Sequence, residues 1–163
     1  MNTQEISTLI ISRFGEHAIE KIEEMGLQPA LFIQVDLLED ICFYLRDEKG
    51  LYFDFLNYIS AVDLHEDGFL ITYHLTSIPY LHTLVLKVLI ANDRDEAHLP
   101  ELPSVSAVWK TADWHEREAF DLMGIFFTNH PDLRRILLPD DWQGYPLRKD
   151  YQDPESYHGI TIK

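Results

Sequence analysis

Apolar residues open the chain at helical intervals. Ile6, Leu9, Ile10, Phe14, Ala18, Ile19 and Ile22 recur with charges between them, which predicts one amphipathic helix over residues 3–25 with Gly26 as its C-terminal cap. Residues 29–35 then read as a short strand, with Asp36 as N-cap of a second helix running to Arg46 and a turn over residues 47–50. From Leu51 to Asp63 the chain is aromatic and β-branched. The Glu66-Asp67-Gly68 turn signal and the alternating run from Phe69 to Thr76 complete a hairpin. Between His82 and Ala91, Leu84, Leu86, Val88 and Ile90 share one face of a further strand. Residues 92–103 carry Pro100 and Pro103 and read as a loop, followed by a helical turn from Ser104 or Ser106 to Trp109.

The next helix has Thr111 or Asp113 as cap, a capping-box spacing from Asp113 to Glu116, and Gly124 as its end. Ala112, Glu116, Ala119, Phe120 and Met123 fall on one face of it, so Glu116 sits among residues expected to be buried and needs a partner. Beyond Phe127 the period vanishes. Pro131, Pro139, Pro146 and Pro154 forbid a long helix or an interior strand, so residues 128–163 form an extended arm. The fold class that follows is α+β, a mostly antiparallel sheet with helices packed on it. The division is a globular domain over residues 1–127 and a proline-rich arm over 128–163.

Composition sharpens the role of that arm. The chain has 163 residues and a formal net charge of −15, which disfavours nucleic acid and anionic lipid as partners. Residues 128–163 hold five basic and six acidic groups, so the body carries nearly all of the charge. The arm is nevertheless rich in Leu133, Ile136, Leu137, Leu138, Trp142, Tyr145, Leu147, Tyr151 and Tyr157, more apolar surface than a solvated linker needs. It either wraps its own sheet or lies over a partner subunit, and the second reading is preferred. No apolar run reaches the roughly 20 residues that span a bilayer, and the N-terminus lacks the pattern of a secretory signal. A cytoplasmic address is expected.

Candidate chemistry is sparse. Cys42 is the single cysteine, flanked by Ile41 and Phe43, which points to a buried, inert thiol and leaves no ligand set for an iron-sulfur cluster. The seven glycines make no phosphate loop, and the eight histidines show no metal-ligand spacing. A hydrolase could draw acids from Glu116, Glu118, Asp121, Asp140 or Asp141 and a proton carrier from His115 or His130, but no nucleophile stands out. Arg117 and Asp121, four residues apart, can pair along the exposed side of their helix, a pair that alone would stabilise little. Arg134, Arg135, Arg148 and Lys149 offer the arm's cations, and an arginine folding back onto Glu116 or Glu118 is expected to anchor the arm.

One stretch is recognisable as it stands. Glu116-Arg117-Glu118-Ala119-Phe120-Asp121-Leu122-Met123-Gly124-Ile125, then His130-Pro131-Asp132-Leu133-Arg134-Arg135-Ile136-Leu137, then Pro139-Asp140-Asp141-Trp142 to Pro146-Leu147-Arg148-Lys149-Asp150-Tyr151, resembles the family of the C subunit, or 30 kDa subunit, of NADH:quinone oxidoreductase, respiratory complex I. The resemblance is strongest over residues 105–151. It implies a cofactor-free subunit of the hydrophilic arm of a membrane complex, on the cytoplasmic side, with FMN, iron-sulfur clusters and quinone held by partner subunits. It also implies that Glu116, Arg117, Glu118, Asp121, His130, Arg134, Arg135, Trp142, Arg148, Asp150 and Tyr151 serve structure and docking rather than catalysis. Related ferredoxin-, deazaflavin- and hydrogenase-linked complexes use a similar subunit.

Overall fold

The computed structural model describes residues 1–25, 28–95 and 98–162. Helix α1 covers Thr3–Phe14, held at its start by a reciprocal box: Asn2 Oδ1 accepts the Glu5 N–H at 2.8 Å and Glu5 Oε2 accepts the Asn2 N–H at 2.9 Å. The helix stops well short of residue 25. Gly15 takes φ +94°, a left-handed value that favours glycine, and a short 3-10 turn leads into strand β1, Ile19–Glu23. The expected cap, Gly26, lies outside the described residues. The periodicity misled for a specific reason. A bulge between Ile19 and Lys21 pairs Ile19 with Ile33 and Ile22 with Leu31, so residues three apart face the same side of a strand and imitate a helical repeat.

Strand β2, Ala30–Ile33, is followed by a 3-10 turn over Val35–Leu37 and helix α2, Leu38–Asp47. Asp36 lies inside that turn and makes no side-chain cap, contrary to expectation. Strands β3 (Phe55–Asp63), β4 (Phe69–Ser77) and β5 (His82–Ile90) form the meander, and the five-stranded sheet has the order β1-β2-β5-β4-β3. The β2–β5 pair is parallel and the other pairs are antiparallel. Gly68, at φ +91°, closes the β3–β4 turn where a Cβ would run into the Ile90 carbonyl.

Alternation sorts the sheet into two faces. Leu31, Ile59, Ile71, Tyr73, Leu86 and Val88 join Ile6 and Ile10 of α1 and Leu38, Ile41, Cys42 and Leu45 of α2 in one core cluster. On the opposite face Lys21 and Lys87 each lie 5.3 Å from the Phe32 ring, Glu23 pairs with Lys87, and Tyr58 stacks on His74 at 4.2 Å. Among the described residues no helix is long and apolar enough to cross a membrane.

The proline-rich stretch read as a loop contains strand β6, Glu101–Pro103, paired in parallel with β7, Phe126–Thr128. Proline is tolerated because here it needs only to accept. The Phe126 N–H bonds to the Pro100 carbonyl, and Ser104 N–H bonds to the Thr128 carbonyl. Between these strands runs helix α3, Ala112–Met123, ended by Gly124 at φ +66° as expected. Neither Thr111 nor Asp113 caps it with a side chain. A last hairpin pairs β8, Ser156–Tyr157, with β9, Ile160–Thr161.

Candidate functional site: the joint between helix and arm

Helix α3 carries two fully buried carboxylates, Glu116 and Asp121, and each is satisfied differently. Glu116 Oε1 accepts the Val105 N–H at 2.7 Å, and its Oε2 lies 2.5 Å from Ser104 Oγ. The connection from β6 to α3 thus takes the role assigned to a capping box and to an arginine. No arginine of the arm reaches Glu116 among the described residues. Its neighbour from the arm is His130, with Nε2 at 3.8 Å. Burial pushes the Glu116 carboxyl up to about 7, against the pull of the Ser104 and Val105 hydrogen bonds.

Asp121 is where the arm's arginine actually goes. Arg135 Nη1 donates to Asp121 Oδ1 and to the Asp121 carbonyl, both at 2.9 Å, while Oδ2 accepts three successive N–H groups, from Ile136, Leu137 and Leu138, at 3.0, 2.6 and 3.0 Å. Burial alone would raise this carboxyl, but the three backbone donors and Arg135 hold it below the usual range. Four donors around one carboxylate offset its desolvation and fix the arm's backbone against the helix. The Arg117–Asp121 pair that their spacing allows on an exposed helix side is therefore absent. Arg117 is buried, stacks 4.8 Å from the Trp114 ring, lies 3.8 Å from Asp113 and reaches the Arg134 carbonyl at 3.4 Å. Arg134 itself turns outward to Asp132 at 2.9 Å. Glu118 is exposed on the other side of α3 and forms no ion pair among the described residues.

A second clamp holds the arm further along. Arg148 is buried between the rings of Phe69 and Tyr145, at 5.4 and 4.6 Å, and donates to the carbonyls of Met123 and Gly124 at 2.6 and 3.2 Å. These are carbonyls that the end of α3 leaves without a helical partner. The third clamp was not foreseen. Asp63, only 2% exposed at the end of β3, binds Arg94 through both oxygens at 2.8 and 2.7 Å and accepts the Lys149 N–H at 2.8 Å. Arg94 holds the Asp63 carboxyl far below its ordinary range. Asp150 stands 3.8 Å from Arg94. A signal was present: two-residue alternation through Ile59 and Ala61 puts Asp63 on the inward face, where a carboxylate needs partners.

Trp142 and Tyr151 close a loop of the arm on itself, with Trp142 Nε1 donating to the Tyr151 hydroxyl at 3.2 Å. His115, named as a proton carrier, lines a shallow recess with Ile59, Glu118, Leu122 and Leu147, whereas His130 faces Glu116 on the buried side of α3. The hydrolase constellation is thereby split. Among the described residues no group of three His, Cys, Asp or Glu side chains is placed to hold a metal ion. The chemistry of this region is that of a joint, in which carboxylates of the body capture backbone and guanidinium donors of residues 134–149.

Comparison with known proteins places the chain in a family. Residues 31–157 match the family described as respiratory-chain NADH dehydrogenase, 30 Kd subunit. The chain is 44% identical over 157 residues to the NADH-quinone oxidoreductase C subunit of Chlorobium phaeobacteroides, covering 94% of this chain and 91% of that protein. It is 41% identical over 156 residues to the corresponding protein of Chloroherpeton thalassium, again over 94% of this chain, but spans only 62% of that relative's length. The fold also resembles a chain in the structure of the membrane-bound sulfane sulfur reductase, an archaeal respiratory membrane complex, with a TM-score of 0.72 and 22% identity over 91% of this chain and 85% of that one. With the signature region, the helix-to-arm joint and most of the sheet inside the matched span, the chain belongs to the family of the 30 Kd subunit of respiratory-chain NADH dehydrogenase.

Proposed function

We propose that this chain is a structural, non-catalytic subunit of the hydrophilic arm of a proton-translocating NADH:quinone oxidoreductase, seated on the cytoplasmic side of the membrane. In this reading FMN, iron-sulfur clusters and quinone belong to partner subunits, and the chain positions them without carrying electrons. Family membership is the observation that bears most of the weight. The joint adds a physical reason: three clamps hold residues 134–149 against the body, while Trp114 of α3 and Leu137 and Leu147 of the arm stay 64%, 61% and 56% exposed. Trp114 and the half-buried Leu122 lie on one side of α3 with the exposed Glu118 between them, and Leu147 bonds through its N–H to the Leu122 carbonyl, so exposed apolar side chains flanking one acid are presented on a preorganised frame. Such a frame suits docking, because little entropy remains to be lost on binding.

The test is capture of the tagged chain from native membranes. Co-purification with subunits bearing flavin and iron-sulfur clusters is expected, with NADH-dependent quinone reduction in the captured complex and none in the isolated chain. A Trp114→Asp, Leu147→Asp chain is expected to fold normally and to lose capture. Robust NADH oxidation or bound flavin in the isolated chain would defeat the reading. An equivalent place in a complex with another electron donor is the second reading, motivated by the same fold in the sulfane sulfur reductase complex; NADH-independent reduction by the captured complex would select it.

A further inference from the structure

Of the two fully buried carboxylates on α3, Asp121 has an arginine and Glu116 has none. What surrounds Glu116 is a set of groups that can accommodate it with or without a proton. Ser104 Oγ, 2.5 Å from Oε2, also lies 2.7 Å from Ser106 Oγ and accepts the Ser106 N–H at 3.1 Å. With Glu116 ionised, Ser104 donates to it and accepts from Ser106. With Glu116 protonated the hydroxyl pair reverses, the acid donating to Ser104 and Ser104 to Ser106. The hydrogen bonds among Glu116, Ser104 and Ser106 survive in both states.

His130 completes the site from the arm. Its side chain is fully buried, and the Asp132 N–H donates to Nδ1 at 3.0 Å, which assigns the ring proton to Nε2, facing the Asp113 carbonyl at 3.2 Å. A second proton on Nδ1 would point into the Asp132 N–H. Nε2 also lies 3.9 Å from Asp113 Oδ1 and 3.8 Å from Glu116 Oε2. The other titratable groups near Glu116 add no positive charge. Asp113 on the same helix and Glu39 of α2 are acidic and further disfavour its ionisation, while Cys42 of α2 and Tyr73 of β4 are buried and neutral.

We propose that Glu116 is a buried proton-binding site that switches the joint between body and arm. With the proton bound, His130 Nε2–H donates to the Asp113 carbonyl, as in the structure. When the proton is released to solvent, the Nε2–H turns to the charged Oε2 3.8 Å away, and the first turn of the arm, residues 130–132, moves with the ring. No covalent bond other than O–H is made or broken.

The full chain, labelled with carbon-13 at glutamate carboxyls and nitrogen-15 at histidine rings, is titrated by NMR between pH about 5 and 9. One glutamate carboxyl is expected to titrate near 7, and its signal should vanish in Glu116→Gln. The His130 Nε2 shift should show a step at the same midpoint in the wild-type chain, and that step should be missing in the variant. Glu116 titrating with ordinary carboxylates, at about 4 to 5, would overturn the proposal. So would a Glu116 midpoint near 7 that His130 does not follow. Should Glu116→Gln fail to fold, assigning the carboxyl through bonds from the Glu116 backbone in the wild-type chain gives the same decision.

Discussion

At the scale of single residues, the difference between Asp121 and Glu116 shows that burying a carboxylate has no fixed effect. Asp121 collects three N–H donors and a guanidinium, so removing Arg135 still leaves it largely solvated by the backbone. Arg135→Ala is expected to lower unfolding free energy by about 1.5–3 kcal/mol, the worth of hydrogen bonds to a charged group. Asp121→Ala, which orphans the Ile136, Leu137 and Leu138 N–H groups and leaves Arg135 without a carboxylate, should lower it by more, about 3–5 kcal/mol. Urea denaturation of both variants checks the order, and equal losses would contradict it. Cys42 is fully buried and burial pushes its thiol well up, so the native chain should not react with a thiol reagent until denaturant is added. Sequence alone identified Cys42 and Glu116 as buried. It assigned Glu116 the wrong partner, because Ser104 and Val105 come to it through a parallel strand pair that two prolines disguised as a loop.

At the scale of elements, the end of α3 is the tightest point of the joint. Gly124 combines φ +66° with a close approach, since an added Cβ would lie 2.6 Å from Tyr145 Cε2 and 2.7 Å from Arg148 Nη2. Gly124→Ala is expected to destabilise by about 1–3 kcal/mol through backbone strain and overpacking. Amide hydrogen exchange should show it locally, with faster exchange at Leu147 and Arg148, whose N–H groups bond to the Leu122 and Tyr145 carbonyls. Unchanged protection there would separate Gly124 from the clamp. The ending of α3 was legible, because glycine after an amphipathic run is a strong signal. The ending of α1 was not, because the bulge in β1 gave Ile19 and Ile22 a helical spacing.

At the scale of the whole molecule, stability should fall on both sides of a pH optimum, for opposite reasons. Asp63 and Asp121 are held low in the folded chain, so their contributions are present above the unfolded carboxylate range and lost as pH falls. Glu116 is raised from its ordinary 4.5 to about 7. Its folded form binds the proton more tightly than the unfolded one, so its contribution is complete below about 4.5 and gone above about 7, a loss of about 3 kcal/mol. Thermal unfolding across this range should show the wild-type chain weakening from pH about 5 to 8, and Glu116→Gln should remove that slope while leaving the acid flank intact. A variant with the wild-type slope would show that another group carries it. Deleting residues 130–163 strips the donors from Asp121 and Asp63 together. The shortened chain is expected to lose cooperative unfolding rather than simply lose a tail.

The sequence by itself determined the α+β class, the antiparallel meander, the position and end of α3, the buried thiol and the family, because each is written in local periodicity or in a contiguous signature. Only the tertiary structure decided the partners: Arg135 on Asp121 rather than Glu116, Asp63 on Arg94 and Lys149, Arg148 on the carbonyls after α3, and His130 against Glu116. Periodicity says which side of an element is buried. It does not say which of several buried donors lies opposite a given carboxylate, since that depends on strand order, on one bulge and on the path of an arm with no period of its own.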